Sequence, residues 1–187
     1  MVDLHYMALP ELEAGLDLIR QSPKDAGVLE LIVRRPQIET REVLDEGQLD
    51  LVDGLVGDTW RARSSSRTAD GAAHPDMQLT IMNARILALV AQEKERWPLA
   101  GDQLVIDLDL SADNLAPGIR LAVGTAVIVV TAQPHTGCKK FMARFGKDAL
   151  QFVSSPLGKQ LNLRGIYTKV VQPGVIRVGD VVKKLEA

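Results

Sequence analysis

The stretch TAQPHTGCKKFMARFG, Thr131 to Gly146, holds the only cysteine of the chain, Cys138. His135 precedes it by three residues, Lys139 and Lys140 follow directly, and Arg144 lies six residues on. A thiol acts as nucleophile or soft-metal ligand through its thiolate, which nearby cations and a helix N-terminus stabilise, moving the pKa from about 8.5 towards neutrality. The apolar run TAVIVVTAQP predicts a strand that delivers the chain to His135, and KKFMARF predicts a helix after Cys138. The cysteine is thus expected at a strand-to-helix junction, with Gly137 permitting a tight turn or the close approach of a ligand. Two readings stand side by side. Cys138 is a small buried hydrophobe, or it is a reactive thiolate assisted by His135. Polar and basic neighbours favour the second.

What else this pattern can do is limited. His135 and Cys138 have a spacing that allows joint metal ligation, but structural zinc takes four ligands. The remaining histidines, His5 and His74, are distant in sequence. A single thiolate given to a soft metal whose other ligands come from a cofactor needs no such cluster, so Cys138 is also the candidate metal ligand. A Cys-His hydrolase needs an orienting third group and an oxyanion hole that no motif identifies. Neither a phosphate-cradling P-loop nor a G-x-G-x-x-G dinucleotide fingerprint is present.

The net charge of −2 conceals a split. Residues 134–187 carry ten Lys and Arg against three Asp and Glu, whereas the preceding 133 residues carry twelve against twenty-one. The basic segment suits an anionic partner or pairs with its acidic neighbours. A composition of 46% hydrophobic and 25% charged residues over 187 positions is that of a globular domain with a substantial core. No apolar run reaches the roughly 18–20 residues of a membrane span. No signal-peptide pattern opens the chain, and a lone cysteine suits a reducing compartment. A cytoplasmic protein with neither a membrane nor a nucleic-acid partner is expected.

The elements that must position Cys138 are mostly short strands. LPELEAGLDLIRQSP reads as one amphipathic helix, and residues 1–25 are taken as a helical extension ahead of a domain over 26–187. GVLELIVRRP, QLTIM and QLVIDLDLS read as strands; in the last, Leu104, Ile106, Leu108 and Leu110 alternate with Asp107 and Asp109. TREVLDEGQLD predicts a short strand and an Asp-Glu-Gly turn, and GLVGDTW a glycine-rich turn. RARSSSRTADGAAHP, Arg61 to Pro75, lacks any period and reads as a long loop whose arginines are solvated or cover an anion site. The chain turns helical near Asn83. RLAVGTAVIVVTAQ is a strand pair about Gly124-Thr125, and KKFMARFGKDALQFVSS is a helix broken near Gly146. LRGIYTKVVQPGVIRVGDVVKKL reads as a β-meander turning at Pro173-Gly174 and Gly179-Asp180. Short strands joined by such turns favour a mainly β protein: a closed or partly closed β-barrel with a few short helices.

GTAVIVVTAQPHTGCKKFMARFGKDAL, followed by LRGIYTKVVQPGVIRVGDVV, resembles the MOSC domain, named for the C-terminal part of molybdenum cofactor sulfurases. GLVGD, Gly54 to Asp58, resembles the glycine-aspartate turn of the earlier half of such domains, so the likeness spans Gly27 to Leu185. Thr59-Trp60 follow that turn where many standalone members carry Arg-His or His-His.

The resemblance implies a barrel like the β-barrel domain of pyruvate kinase. It implies that Cys138 carries sulfur as a persulfide or ligates molybdenum of a pterin cofactor, with reduction of N-hydroxylated compounds as one activity of relatives. Pyridoxal phosphate binding enters only as a family association, inherited from sulfurases with an aminotransferase-like domain. The pterin cofactor bears a phosphate, for which Lys139, Lys140, Arg144 and Arg164 are the candidate contacts, and a sulfur donor or redox partner protein is implied. Two other functions remain open: a non-catalytic binding module built on the barrel, and a thiol hydrolase or transferase.

Overall fold

The computed structural model describes residues 6–186; His5 and the first residues of the expected extension lie outside the described residues. Eleven strands are present among the described residues: β1 (Ala26–Arg34), β2 (Glu42–Leu44), β3 (Glu46–Asp50), β4 (Gly54–Leu55), β5 (Leu79–Asn83), β6 (Leu104–Asp107), β7 (Arg120–Val123), β8 (Ala126–Val130), β9 (Ile166–Gln172), β10 (Gly174–Arg177) and β11 (Val181–Lys184). Seven of them close on themselves in the order β1-β11-β7-β8-β9-β5-β6, and β1 pairs back to β6. Only β5 and β6 run parallel, which makes the barrel mixed. Closure removes the open edges that short apolar strands would otherwise expose.

Side-chain alternation sorts the strands into an inside and an outside. In β6, Leu104 and Ile106 point into the barrel core while Val105 joins a second core outside it. β1 departs from strict alternation, because Leu29 and Ile32 both face inward although three residues apart. A register shift between Leu29 and Leu31 against β6 inserts Glu30 as an extra residue, and such a bulge reverses the in-out parity of the rest of the strand. Leu31 and Val33 thereby turn outward onto the helices.

The expected meander after β9 is not one. β9 lies between β8 and β5, and β11 between β7 and β1. β10 leaves the barrel altogether and pairs with β3, Ile176 opposite Gly47, in a small sheet of order β10-β3-β4. The Asp-Glu-Gly segment is likewise strand, since Glu46 and Gly47 open β3. Leu49, Leu55 and Ile176 of this sheet extend the barrel core. Pairing partners more than a hundred residues apart leave no local trace in a strand's pattern, so a turn signal alone cannot tell a hairpin from a strand that changes sheets.

Helices α1 (Leu9–Ala14), α2 (Leu16–Arg20), α3 (Ala84–Ala91), α4 (Lys139–Phe145), α5 (Lys147–Ser154) and α6 (Pro156–Gln160) flank the barrel. The first helical segment is two helices meeting at Gly15. Leu12 of α1 is fully buried and Leu9 N–H donates to Asp148 Oδ2 of α5 at 3.0 Å. Asn83 ends β5 and caps α3, its Oδ1 accepting from the Arg85 and Ile86 amides, as an Asn at a strand-to-helix junction favours. α4 is anchored by Phe141 and Phe145, one turn apart, each 1% exposed, with ring centroids 4.9 Å from each other. Each such burial contributes roughly 1.5–3 kcal/mol, and the pair fixes which way the rest of α4 faces.

Candidate functional site

A cavity of about 480 Å³ opens at one end of the barrel. The segment after β1 lines it with Arg35, Glu39 and Arg41, the loop after the Gly-Asp turn with Arg63 and His74, and the segment between β8 and α4 with His135 and Cys138. α4 adds Lys140 and Arg144, the approach to β9 adds Arg164, and β9 itself adds Tyr167. Six lining residues are Arg or Lys, and one, Glu39, is acidic. Four of those cations have carboxylate partners. Arg164 Nη1 lies 2.8 and 3.1 Å from the oxygens of Asp102, a fully enclosed pair. Arg35 meets Asp58 through Nε and Nη2, each at 2.8 Å. Glu39 takes both Lys140, at 2.5 Å, and Arg144, at 2.7 Å.

Arg41 and Arg63 have no carboxylate within ion-pair distance among the described residues. Arg41 donates through Nη1 to the Thr40 carbonyl and its buried Nε has no partner; Arg63 donates to Thr59 Oγ1 at 3.0 and 3.2 Å. Burial pushes both guanidinium groups down from their ordinary value, and neighbouring cations push them further: Arg144 and Arg35 on Arg41, Arg35 on Arg63. Positive charge is therefore in excess over the cavity floor, and an anion bound there relieves it.

Cys138 is exposed and forms the N-cap position of α4, with no side-chain capping bond. The reading of the cysteine as a buried hydrophobe is excluded by that exposure. His135 lies deeper. Its imidazole is 8% exposed, tilts against the Tyr167 ring at 4.5 Å, and brings Nδ1 to 3.7 Å from Asp102 Oδ1, beyond hydrogen-bond reach. Nδ1 has no partner. Burial first, then the charges of Arg164, Arg35 and Arg67, hold the ring well below its ordinary pKa of 6.5, so it is neutral. Burial lifts the Asp102 carboxyl above its usual range against the pull of Arg164.

The structure brings Cys138, His135, Lys140, Arg144 and Arg164 to one cavity, and Lys139 is not among its lining residues. Arg164 is a buried partner of Asp102, with its guanidinium 4.9 Å above the Phe141 ring. Much of the basic C-terminal segment pairs with acidic residues of the N-terminal part: besides Lys140, Arg144 and Arg164, Lys169 meets Asp76 and Arg177 meets Glu46. His74, distant in sequence, lines the same cavity, but its Nδ1 accepts from the Asp76 amide at 3.1 Å. Among the described residues no three His, Cys, Asp or Glu side chains are grouped to hold a metal. Nor is any helix long and apolar enough to cross a membrane.

The Ser/Arg loop is part of the site. Ser64, Ser65 and Ala73 line the cavity, and Arg67 crosses to the cysteine segment, donating to Gln133 Oε1 at 3.1 Å and the Pro134 carbonyl at 3.4 Å. Sequence reasoning missed Arg35, Arg41, Asp102 and Tyr167, whereas Arg63 belongs to the loop whose arginines are expected to be solvated or to cover an anion site. The Gly-Asp turn did signal Asp58, the partner of Arg35.

Comparison with curated protein sequences gives no match. Among solved structures, the YuaD protein from Bacillus subtilis superposes with a TM-score of 0.63 at 16% identity, over 85% of this chain and 95% of that one. YiiM from Escherichia coli superposes with a TM-score of 0.54 at 21% identity, over 86% of this chain and 70% of that one. At such identities the likeness is one of fold. The MOSC domain family model matches residues 68–183; Gly54–Asp58 and β1 fall before that match, although the structural likeness covers most of the chain. With well over half of its length matched, and with a closed mixed barrel carrying the cysteine segment at its mouth, the chain belongs to the MOSC domain family, which is linked to molybdenum cofactor binding.

Proposed function

We propose that this chain binds a phosphate-bearing molybdenum pterin in the cavity at the barrel mouth, with Cys138 as the protein's ligand to the metal. The observation that carries this reading is the lining of that cavity: six cations against one acid, two of the cations without a carboxylate, and an exposed thiol at the edge. A soft thiolate suits a soft metal whose other ligands belong to the cofactor. Arg41 and Arg63 are the groups best placed to meet a phosphate, because binding it costs them no existing ion pair. Lys140 and Arg144 stand beside them, and Arg164 acts behind the surface by holding Asp102 and packing on Phe141.

When bound, such a cofactor supplies two-electron redox or oxygen-atom chemistry. The chain's own contribution is to orient it and to present a neutral imidazole, His135, in the same cavity as the thiol. Neutrality leaves one ring nitrogen with a lone pair that can accept a hydrogen bond.

The test is expression of the full chain in a host that makes the pterin cofactor, followed by metal analysis and intact mass. Molybdenum at about one atom per chain, lost in Cys138→Ala, is the expected result. An added sulfur atom on Cys138, about 32 Da, without molybdenum would overturn metal ligation in favour of a sulfur carrier. In that case the Cys138 thiolate attacks the outer sulfur of a donor persulfide, forming the S–S bond while the donor leaves as its thiolate. Neither metal nor sulfur would reduce the barrel to a binding module.

A further inference from the structure

Glu39 is the acidic residue among the cavity's lining, and it reaches α4 from the segment that joins β1 to β2. One carboxylate oxygen lies 2.5 Å from Lys140 Nζ and the other 2.7 Å from Arg144 Nη2. A carboxylate spanning two cations has the shape and charge with which a phosphoryl group would meet them. Neither Lys140 nor Arg144 depends on Glu39 for its position on α4. Phe141 and Phe145 fix the face of α4 that presents them, and Arg144 is held independently by a 2.7 Å bond from Nη1 to the Leu99 carbonyl.

The segment carrying Glu39 is held loosely. Residues 37–40 are all exposed, and Ile38 is 84% exposed, so no buried apolar surface fastens them. Glu39 itself adopts φ of +63°, a left-handed backbone that a residue with a Cβ adopts at a cost. Its carboxylate ties the segment to α4, and the side chain is more than half exposed. An exposed ion pair of this kind is weak and yields to a competing anion.

We infer that Lys140 and Arg144 form a second anion subsite of the cavity and that Glu39 is its built-in competitor, displaced when a phosphoryl group enters. This rests on the reading of the cavity as an anion site and adds to it a control on affinity. Arg41 and Arg63 offer cations that hold no ion pair, so an incoming phosphoryl group is drawn first to them and reaches Lys140 and Arg144 by expelling Glu39. The exposed residues 37–40 then move from α4, while Arg41 stays in the cavity lining.

The experiment measures inorganic pyrophosphate binding to the full chain by titration calorimetry at low ionic strength, with acetate at matched ionic strength as the control. Glu39→Gln keeps the side chain's size and removes its charge; it is expected to bind pyrophosphate about tenfold more tightly than the parent. Adding Lys140→Met to Glu39→Gln should abolish that gain. Glu39→Ala, expected to behave as Glu39→Gln does, guards against a local effect of the glutamine. If both Glu39 variants bind pyrophosphate no more tightly than the parent, while Arg41→Met still weakens the parent, the competitor is refuted and the anion cavity stands. If parent and variants all fail to bind pyrophosphate, both readings fall.

Discussion

Arg35 and Asp58 grip each other at two points, Nε to Oδ2 and Nη2 to Oδ1, both at 2.8 Å, and the same carboxylate accepts the backbone amides of Arg35 and Trp60. The pair joins the end of β1 to the glycine-aspartate turn, and Arg35 Nη1 continues to the Gly101 carbonyl beside Asp102. With Asp58 at 0% and Arg35 at 9% side-chain exposure, removing one partner strands a buried charge. Asp58→Ala is therefore expected to cost about 3 kcal/mol or more. In a chain of this length that is a fall in Tm of roughly 6–12 °C by thermal melting. Arg35→Met combined with Asp58→Leu should recover part of the loss, the remainder being the Arg35 and Trp60 amides left without their acceptor; if it recovers none, the damage lies in the turn's backbone and not in the ion pair.

Gly165 ties the fold to the site. Its φ is +99°, and a Cβ there would stand 2.2 Å from the Ile81 carbonyl of β5 and 3.3 Å from His135 Nδ1. Backbone cannot yield as a flexible side chain can. Gly165→Ala should cost about 1–3 kcal/mol from the left-handed conformation alone, and the displaced imidazole should shift its NMR resonances. An alanine variant with unchanged stability and unchanged His135 signals would mean that β5 and β9 part more easily than their pairing implies.

His135 also makes stability depend on pH. Its folded-state pKa is depressed below 6.5, so between that depressed value and 6.5 the unfolded chain binds the proton that the folded chain refuses. Stability from the neutral ring is complete above pH 6.5 and falls as the pH drops through this window, with a slope reaching about 1.4 kcal/mol per pH unit. Asp102, whose carboxyl is raised, works in the opposite sense as the pH rises above its ordinary 3.8. Comparing parent with His135→Gln isolates the histidine. Denaturant unfolding at several pH values from 5 to 8 should give a shallower acid-side decline in the variant. Parallel curves would place the imidazole in contact with solvent.

How far the sequence carried this reading depends on the range of each contact. Asn83 at the end of an alternating run marks its junction with α3 through local chemistry, and the apolar spacing of Leu104 and Ile106 marks the inner face of β6. Cys138 and His135 stood out by residue type, and α4 begins where the helical spacing of Phe141 and Phe145 predicts. Asp102 was invisible because nothing around it in AGDQLVID distinguishes it; its meaning lies in Arg164, sixty-two residues away. Arg41 sits in the acidic part of the chain, where a tally of charge by segment hides it. β10 reads as the middle of a meander until its partner, β3, is known.

Cys138 is expected to be dispensable for folding. The side chain is exposed and bonds to nothing that caps α4. Cys138→Ala should leave unfolding free energy within about 0.5 kcal/mol of the parent while removing metal retention or sulfur loading. Equal losses of stability and function would instead make the thiol structural, and full retention of molybdenum by the alanine variant would remove it from the site.

Arg41 and Arg63 separate binding from stability most sharply. Arg41 feels the charges of Arg144 and Arg35, Arg63 those of Arg35 and Arg41, and neither has a carboxylate within ion-pair distance among the described residues. Arg41→Met keeps the apolar stem, removes the repulsion, and ends the unsatisfied burial of Nε. Its thermal stability should equal or exceed that of the parent, since charge crowding is removed and packing is largely preserved. Its affinity for pyrophosphate should fall, and the deficit should be larger at about 20 mM salt than at about 300 mM, where screening has already weakened the parent's attraction. A variant that loses stability and affinity together, with no dependence on salt, would show that the guanidinium holds the segment between β1 and β2 in place and that the cavity's positive charge is not what draws the ligand.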